Sequence, residues 1–190
     1  MARLPYVDPE TAPLAVREFL TLLPADLNIF RMSAHAETNF RPLISLGVSV
    51  LTEQQLDGRL RELVILRVAR LSDADYEWVQ HVPIAESVGA TSEEIEALGM
   101  DDIDAACFDQ PTKAVLRFAT EVTRDVRASK ESFDEVRRYL SPREIVELII
   151  AVGFYMTMAR IMESTDIDMD APMGDEVIAA ARTGRGGSVD

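Results

Sequence analysis

Leu60-Arg61-Glu62-Leu63-Val64-Ile65-Leu66-Arg67-Val68-Ala69-Arg70-Leu71, followed after a short break by Tyr76-Glu77-Trp78-Val79-Gln80-His81, is the stretch that decides the fold. The first run is apolar on more than one face of a helix, which marks an element at the centre of a fold. Ser72-Asp73 interrupts it, and Asp73 is a candidate cap for the next helix, Tyr76 to about Val88. Pro83 inside that helix removes a backbone donor and predicts a kink near Val79. Gly89 then ends it. Glu77 and His81 are four apart, so they share one helix face. Histidine titrates nearest neutral pH, and carboxylates beside it tune that value. Glu62 lies one helix earlier among apolar neighbours, where a carboxylate is costly unless paired. Together these groups could form an acid/base site.

Working outward, helical periodicity fills the chain and strand-like alternation does not appear. Residues 1–13 are Pro-rich and expected to be extended. A helix is expected over Leu14 to Leu23, stopped by Pro24, then a short piece from Ala25 to Met32. Ala36 to Leu51 should bury Phe40, Leu43, Ile44, Leu46, Val48 and Leu51. Thr52, with Gln55 at the capping-box position, reads as the start of the central helix. Thr91-Ser92-Glu93-Glu94 caps a short helix ending near Gly99, and Met100 to Pro111 is acidic and irregular. Amphipathic helices follow over Thr112 to Val126 and Ser129 to Leu140. Ser141-Pro142-Arg143-Glu144 is a strong start signal for the most apolar helix, through Met162. From Pro172 apolar density falls, and Thr183 to Asp190 should be disordered. With no repeat and no interior linker, the chain divides into an extended segment 1–13, one helical domain 14–171 and a tail 172–190. The fold class is all-α.

The 190 residues carry 19 Lys+Arg against 33 Asp+Glu, a formal net charge of -14. Such a surface repels phosphate backbones and anionic lipid, so no nucleic acid and no membrane partner is expected. One cysteine, Cys107, cannot make an intrachain disulfide, which fits a reducing compartment. The N-terminus lacks a signal-peptide h-region, and the apolar run Leu148–Tyr155 is too short to span a bilayer. The expected location is cytoplasmic.

Arg61-Glu62-Leu63-Val64-Ile65-Leu66-Arg67-Val68 and Tyr76-Glu77-Trp78-Val79-Gln80-His81 resemble the carboxymuconolactone decarboxylase family, which includes the alkylhydroperoxidase AhpD. The resemblance is densest over Leu56 to Leu98. It continues more loosely through Leu116-Arg117-Phe118-Ala119 and Leu148 to Arg160. It implies an AhpD-like helical domain and a homo-oligomer, from dimer to hexamer. In the AhpD branch the site resembles Glu, then Cys-x-x-Cys, then His. Aligned on His81, the Glu falls on Glu62 and the two cysteines on Ala74 and Glu77. A dithiol mechanism needs a low-pKa thiolate and a second thiol, and neither can be made here. The decarboxylase branch needs no dithiol, and Glu62 with His81 could serve its acid/base chemistry.

Each residue has a plainer reading beside the functional one. His81 is either a proton carrier or a helix histidine satisfied by a neighbour. Glu62 either orients His81 or makes a salt bridge with Arg61, Arg67 or Arg160. Glu77 is a second proton carrier or an exposed partner of His81. Tyr76 could place its hydroxyl in the pocket, and Trp78, the single tryptophan, could line the substrate or pack in the core. Tyr155 and Arg160 on the apolar helix are candidate substrate contacts, Arg160 through a carboxylate. Met156, Met158 and Met162 form a core or interface stripe. His35 has no local partner. Glu62, Glu77 and His81 could supply three metal ligands, but their spacing matches no zinc or iron motif. The expected function is therefore cofactor-free decarboxylation or related proton transfer on a small organic acid or lactone. Glu62, His81, Glu77 and Tyr76 are its catalytic candidates. The alternatives are a peroxidase-related AhpD-like oxidoreductase and a non-enzymatic oligomeric binding protein.

Overall fold

A computed structural model describes residues 1–173 together with Glu176 and Ala179. The expected disorder of 183–190 lies outside the described residues. Nine α-helices and no strand occur among the described residues: α1 Leu14–Leu22, α2 Asn28–Ser33, α3 Glu37–Thr52, α4 Gly58–Leu71, α5 Asp75–Ser87, α6 Ser92–Gly99, α7 Gln110–Asp125, α8 Lys130–Val136 and α9 Pro142–Thr165.

Helix α4 is the axle. Arg61 through Ala69 are all buried, so no face of that stretch meets water. Val64, Ile65 and Val68 enter a large apolar cluster with α7 and α9. Leu63 and Leu66 enter a second cluster with Ala85, Leu98, Phe108 and Leu116. A helix buried all round must carry apolar residues without amphipathic periodicity, which is what its sequence shows. A third, smaller cluster joins α1 and α3 through Val16, Phe40 and Ile44. Gly47 of α3 lets α9 approach: a Cβ there would lie 2.7 Å from Phe154 Cζ, far inside contact distance.

Several expected boundaries shift for physical reasons. The cap of α4 is Asp57, whose side chain accepts from Leu60 N, and not Thr52. Thr52 ends α3 and its hydroxyl donates to Val48 O at 2.8 Å. Gln55 N and Leu56 N instead donate to the Glu147 carboxylate of α9, each at 2.8 Å. A tertiary contact has thus taken over from the local capping box. Asp73 does not cap α5. It takes a left-handed φ of 50°, and Ala74 occupies the cap with no side-chain bond. Leu46 is exposed, while Gly47 and Val50 are buried in its place. Helix α5 runs through Pro83, and Gly89 follows it at φ 98°, a conformation glycine adopts without strain. Capping boxes form at Thr91/Glu94 and at Ser141/Glu144 as expected.

By length and composition α9 could cross a bilayer, although the run Leu148–Tyr155 alone is too short. Half of its most apolar window is buried inside the domain, which is the environment of a core helix. Beyond α9 the chain turns back as a strap. Asp168 accepts from the Tyr6 hydroxyl at 3.0 Å, and Asp170 accepts from Asn28 N at 2.6 Å and from Asn28 Nδ2 at 2.8 Å. Gln80 of α5 donates to Ala171 O and accepts from Met173 N, each at 2.9 Å.

Candidate active site

Helices α4 and α5 pack as neighbours, and this brings Glu62 to His81 across the interface. His81 Nδ1 lies 2.8 Å from Glu62 Oε2. A carboxylate oxygen only accepts here, so Nδ1 is the donor and Nε2 is the ring nitrogen not engaged by Glu62. The other carboxylate oxygen, Oε1, accepts from Arg61 Nε at 3.2 Å. Among the three candidate cations, Arg61 is therefore the one at Glu62. Arg67 pairs with Asp101 and donates to Thr120 Oγ1 at 2.9 Å. Arg160 is exposed and its guanidinium donates to Met156 O of its own helix, so it does not reach the pair.

The cluster is dry. Glu62 is 0 % exposed, Glu77 2 % and His81 8 %. Tyr155 of α9 sets its ring edge-on to His81, with centroids 4.8 Å apart and planes at 88°. Burial lifts the Tyr155 hydroxyl well above the ordinary tyrosine range. The charges of Glu62 and Glu77 add to the rise and Arg61 opposes it. Tyr155 thus feels all three groups.

Glu77 is the largest departure from expectation. It is not an exposed partner of His81 but a buried carboxyl, and neither of its oxygens has a hydrogen-bond partner among the described residues. Desolvation pushes its pKa well above the ordinary value, and the charges of Glu163 and Glu62 push the same way. A second orphan belongs to Arg61. Arg61 Nη2 is buried without a partner among the described residues, close to Gly58, which also faces Val88.

Tyr76 is buried, but its hydroxyl donates to Asp170 Oδ2 of the strap at 2.6 Å and is not turned to His81. Trp78 packs with the second cluster against Gly99, and lines a shallow surface depression with Arg70, Asp73, Ala74 and Asp75. Met158 and Met162 are in the main core, with Met156 packed against it. The His35 ring meets Pro5 O at 2.6 Å. Cys107, the one cysteine of the chain, is exposed. No group of three or more His, Cys, Asp or Glu is arranged to hold a metal among the described residues. The sequence names Arg61 among three candidate partners of Glu62 but cannot choose it, and it carries no sign of the strap contacts. Arg61 is adjacent to Glu62 in sequence, which on a helix gives no reason to expect facing side chains. The strap contacts of Tyr76 and Gln80 span more than ninety positions.

The carboxymuconolactone decarboxylase family model matches residues 38–121, which hold Glu62, Glu77 and His81. No curated protein sequence matches the chain. Solved structures share its fold. An uncharacterized peroxidase-related protein from Ralstonia eutropha JMP134, described as an alkylhydroperoxidase AhpD core, superposes with a TM-score of 0.76 at 16% identity. That match covers 95% of this chain and 96% of the other. A peroxidase-related protein from Silicibacter sp. TM1040 gives 0.75 at 19%, with the same two coverages. The debrominase Bmp8, solved with 2,3,4-tribromopyrrole, gives 0.71 at 16% and covers 95% of each chain. Residues 38–121 thus match the carboxymuconolactone decarboxylase family model, and the chain as a whole has the AhpD-like helical fold.

Proposed function

We propose that this protein is a cofactor-free acid/base enzyme that decarboxylates, or moves a proton on, a small organic acid or lactone. The observation that carries the reading is the buried Glu62–His81 hydrogen bond of 2.8 Å, which leaves Nε2 as a base. Glu62 fixes the ring's tautomer and stabilises the imidazolium formed when Nε2 takes a proton. The dry surroundings strengthen that electrostatic support. Tyr155 holds the ring from the other side.

The peroxidase-related reading finds less support. Dithiol chemistry needs two thiols, and the chain has one cysteine. A homo-oligomer suits the exposed Val146, Ile149 and Ile150 on one face of α9, and a cytoplasmic location suits the single unpaired cysteine.

The test is a screen of β-keto acids and carboxylated lactones for loss of carbon dioxide, with His81→Gln and Glu62→Gln alongside. Turnover that falls by about 10²–10⁴-fold in His81→Gln is the expected result. Turnover that survives in both variants would remove the pair from the mechanism.

A further inference from the structure

The base role of His81 leaves one charge of the site without a task. Arg61 and Glu62 are neighbours in sequence, and adjacent helix positions do not face each other. The Arg61 side chain nevertheless folds back to set Nε 3.2 Å from Glu62 Oε1. Glu62 Oε2 lies 2.8 Å from His81 Nδ1. The carboxylate is thus divided, one oxygen to the guanidinium and one to the imidazole. All three side chains are buried.

As a structural clamp this contact is poor. A bidentate pair would set two parallel N–H bonds on the carboxylate. Here one N–H serves Glu62, and Nη2 is buried with no partner among the described residues. A buried ion pair often gains little over an apolar replacement, because removing both charges from water costs about what their attraction returns. What the guanidinium does supply is a fixed positive charge.

The ionisable groups around the ring show where that charge counts. Helix α4 brings Arg61 and Glu62, α9 brings Tyr155, and α5 itself carries Glu77 one turn before His81. Burial holds the protons of Glu77 and Tyr155 well above their ordinary ranges, and Glu163 of α9 adds to the rise at Glu77. Among the described residues, Arg61 is the one Lys or Arg within ion-pair distance of Glu62. With Arg61 present, an uncharged ring leaves the dry cluster without net charge. Without it, Glu62 would be a lone buried carboxylate, which a second proton on His81 would balance.

We propose that Arg61 is a positioning residue for the His81 base, its charge offsetting the Glu62 carboxylate so that the pair aligns the ring without drawing a second proton onto Nε2. The inference rests on the base role given to His81 under the proposed function. A ring protonated on both nitrogens has no lone pair left to accept a proton from substrate. Glu62 alone would orient the ring and at the same time push it toward that state. Arg61 separates the two effects.

NMR titration of the His81 ring Cε1–H in the full chain decides the matter, in the wild type, Arg61→Gln and Arg61→Lys. Arg61→Gln removes the charge and should raise the His81 midpoint by about one to three pH units. Arg61→Lys keeps the charge and should restore a midpoint close to the wild type, a rescue that a purely structural role does not predict. His35, whose ring meets Pro5 O, should keep its midpoint in every variant and serves as the internal control. The wild type gives a second reading that needs no variant, since the Arg61 Nε–H resonance should shift with the same midpoint as His81. Equal His81 midpoints in the wild type and Arg61→Gln overturn the proposal. So does an Arg61 resonance that stays flat through the His81 titration, even where Arg61→Gln does not fold. Either failure leaves a loss of turnover in His81→Gln intact, and with it the base reading. Turnover in the β-keto acid screen that survives His81→Gln removes the base itself, and the positioning role of Arg61 falls with it.

Discussion

Replacing Glu77 by glutamine should make folding stability depend less on pH. The folded protein holds this carboxyl well above its ordinary value of 4.5, by burial first and by Glu163 and Glu62 second. The unfolded chain does not. Above pH 4.5 the unfolded state releases the Glu77 proton while the folded state keeps it. Folding is therefore favoured most at and below pH 4.5 and loses stability as pH rises toward the folded value. Each pH unit in that window removes about 1.4 kcal/mol. Two units, from pH 4.5 to 6.5, would remove about 2.7 kcal/mol if the proton is kept throughout. The amide of the Glu77→Gln variant does not titrate, so this slope disappears. It inherits the unpaired surroundings, which adds a penalty of about 1–3 kcal/mol at every pH. The diagnostic is thus the difference in slope, not the absolute stability. Urea denaturation of both proteins at half-unit steps from pH 4 to 7 measures it. The variant should gain on the wild type by about 1.4 kcal/mol per unit as pH rises. Parallel stability curves would refute the reasoning, because they would mean that Glu77 releases its proton in the folded state as easily as in the unfolded one.

Two further outcomes follow from other parts of the fold. Asp170→Ala removes the acceptor for Asn28 N, Asn28 Nδ2 and the Tyr76 hydroxyl, leaving a buried phenol O–H without its acceptor. A loss of about 1–3 kcal/mol is expected by denaturation, with faster amide exchange at Asn28, whose N–H loses its acceptor, and unchanged exchange there would show that the strap is held by something else. Ile149→Glu, on the exposed α9 face, should shift light-scattering mass toward monomer without altering the helical circular dichroism spectrum. An unchanged mass would move any self-association elsewhere.

Local chemistry made part of this protein legible. The caps at Thr91 and Ser141 form as their sequences predict, because a capping box is closed within four residues. Thr52 fails as a cap because Glu147, nearly a hundred positions away, takes the amides of Gln55 and Leu56. The apolar pattern of α3 places Leu46 in the core, but Gly47 is the contact that α9 requires, and that pattern alone cannot show where a second helix crosses it.

The candidate site divides in the same way. That Glu77 and His81 share a helix face could be read from their spacing, since four residues return a helix to one face, while Glu62 was joined to them by residue type and by the family resemblance. An all-helical fold followed from helical periodicity along the chain, and a central α4 from apolar residues on every side of one run. Only the tertiary structure decided which cation sits at Glu62, that Glu77 is buried with no partner among the described residues, and that Tyr76 serves the strap while Tyr155 meets His81. The physical reason is range. Caps and helix faces depend on neighbours within a few residues, whereas burial and the protonation it imposes depend on what the packing of α4, α5 and α9 excludes from water.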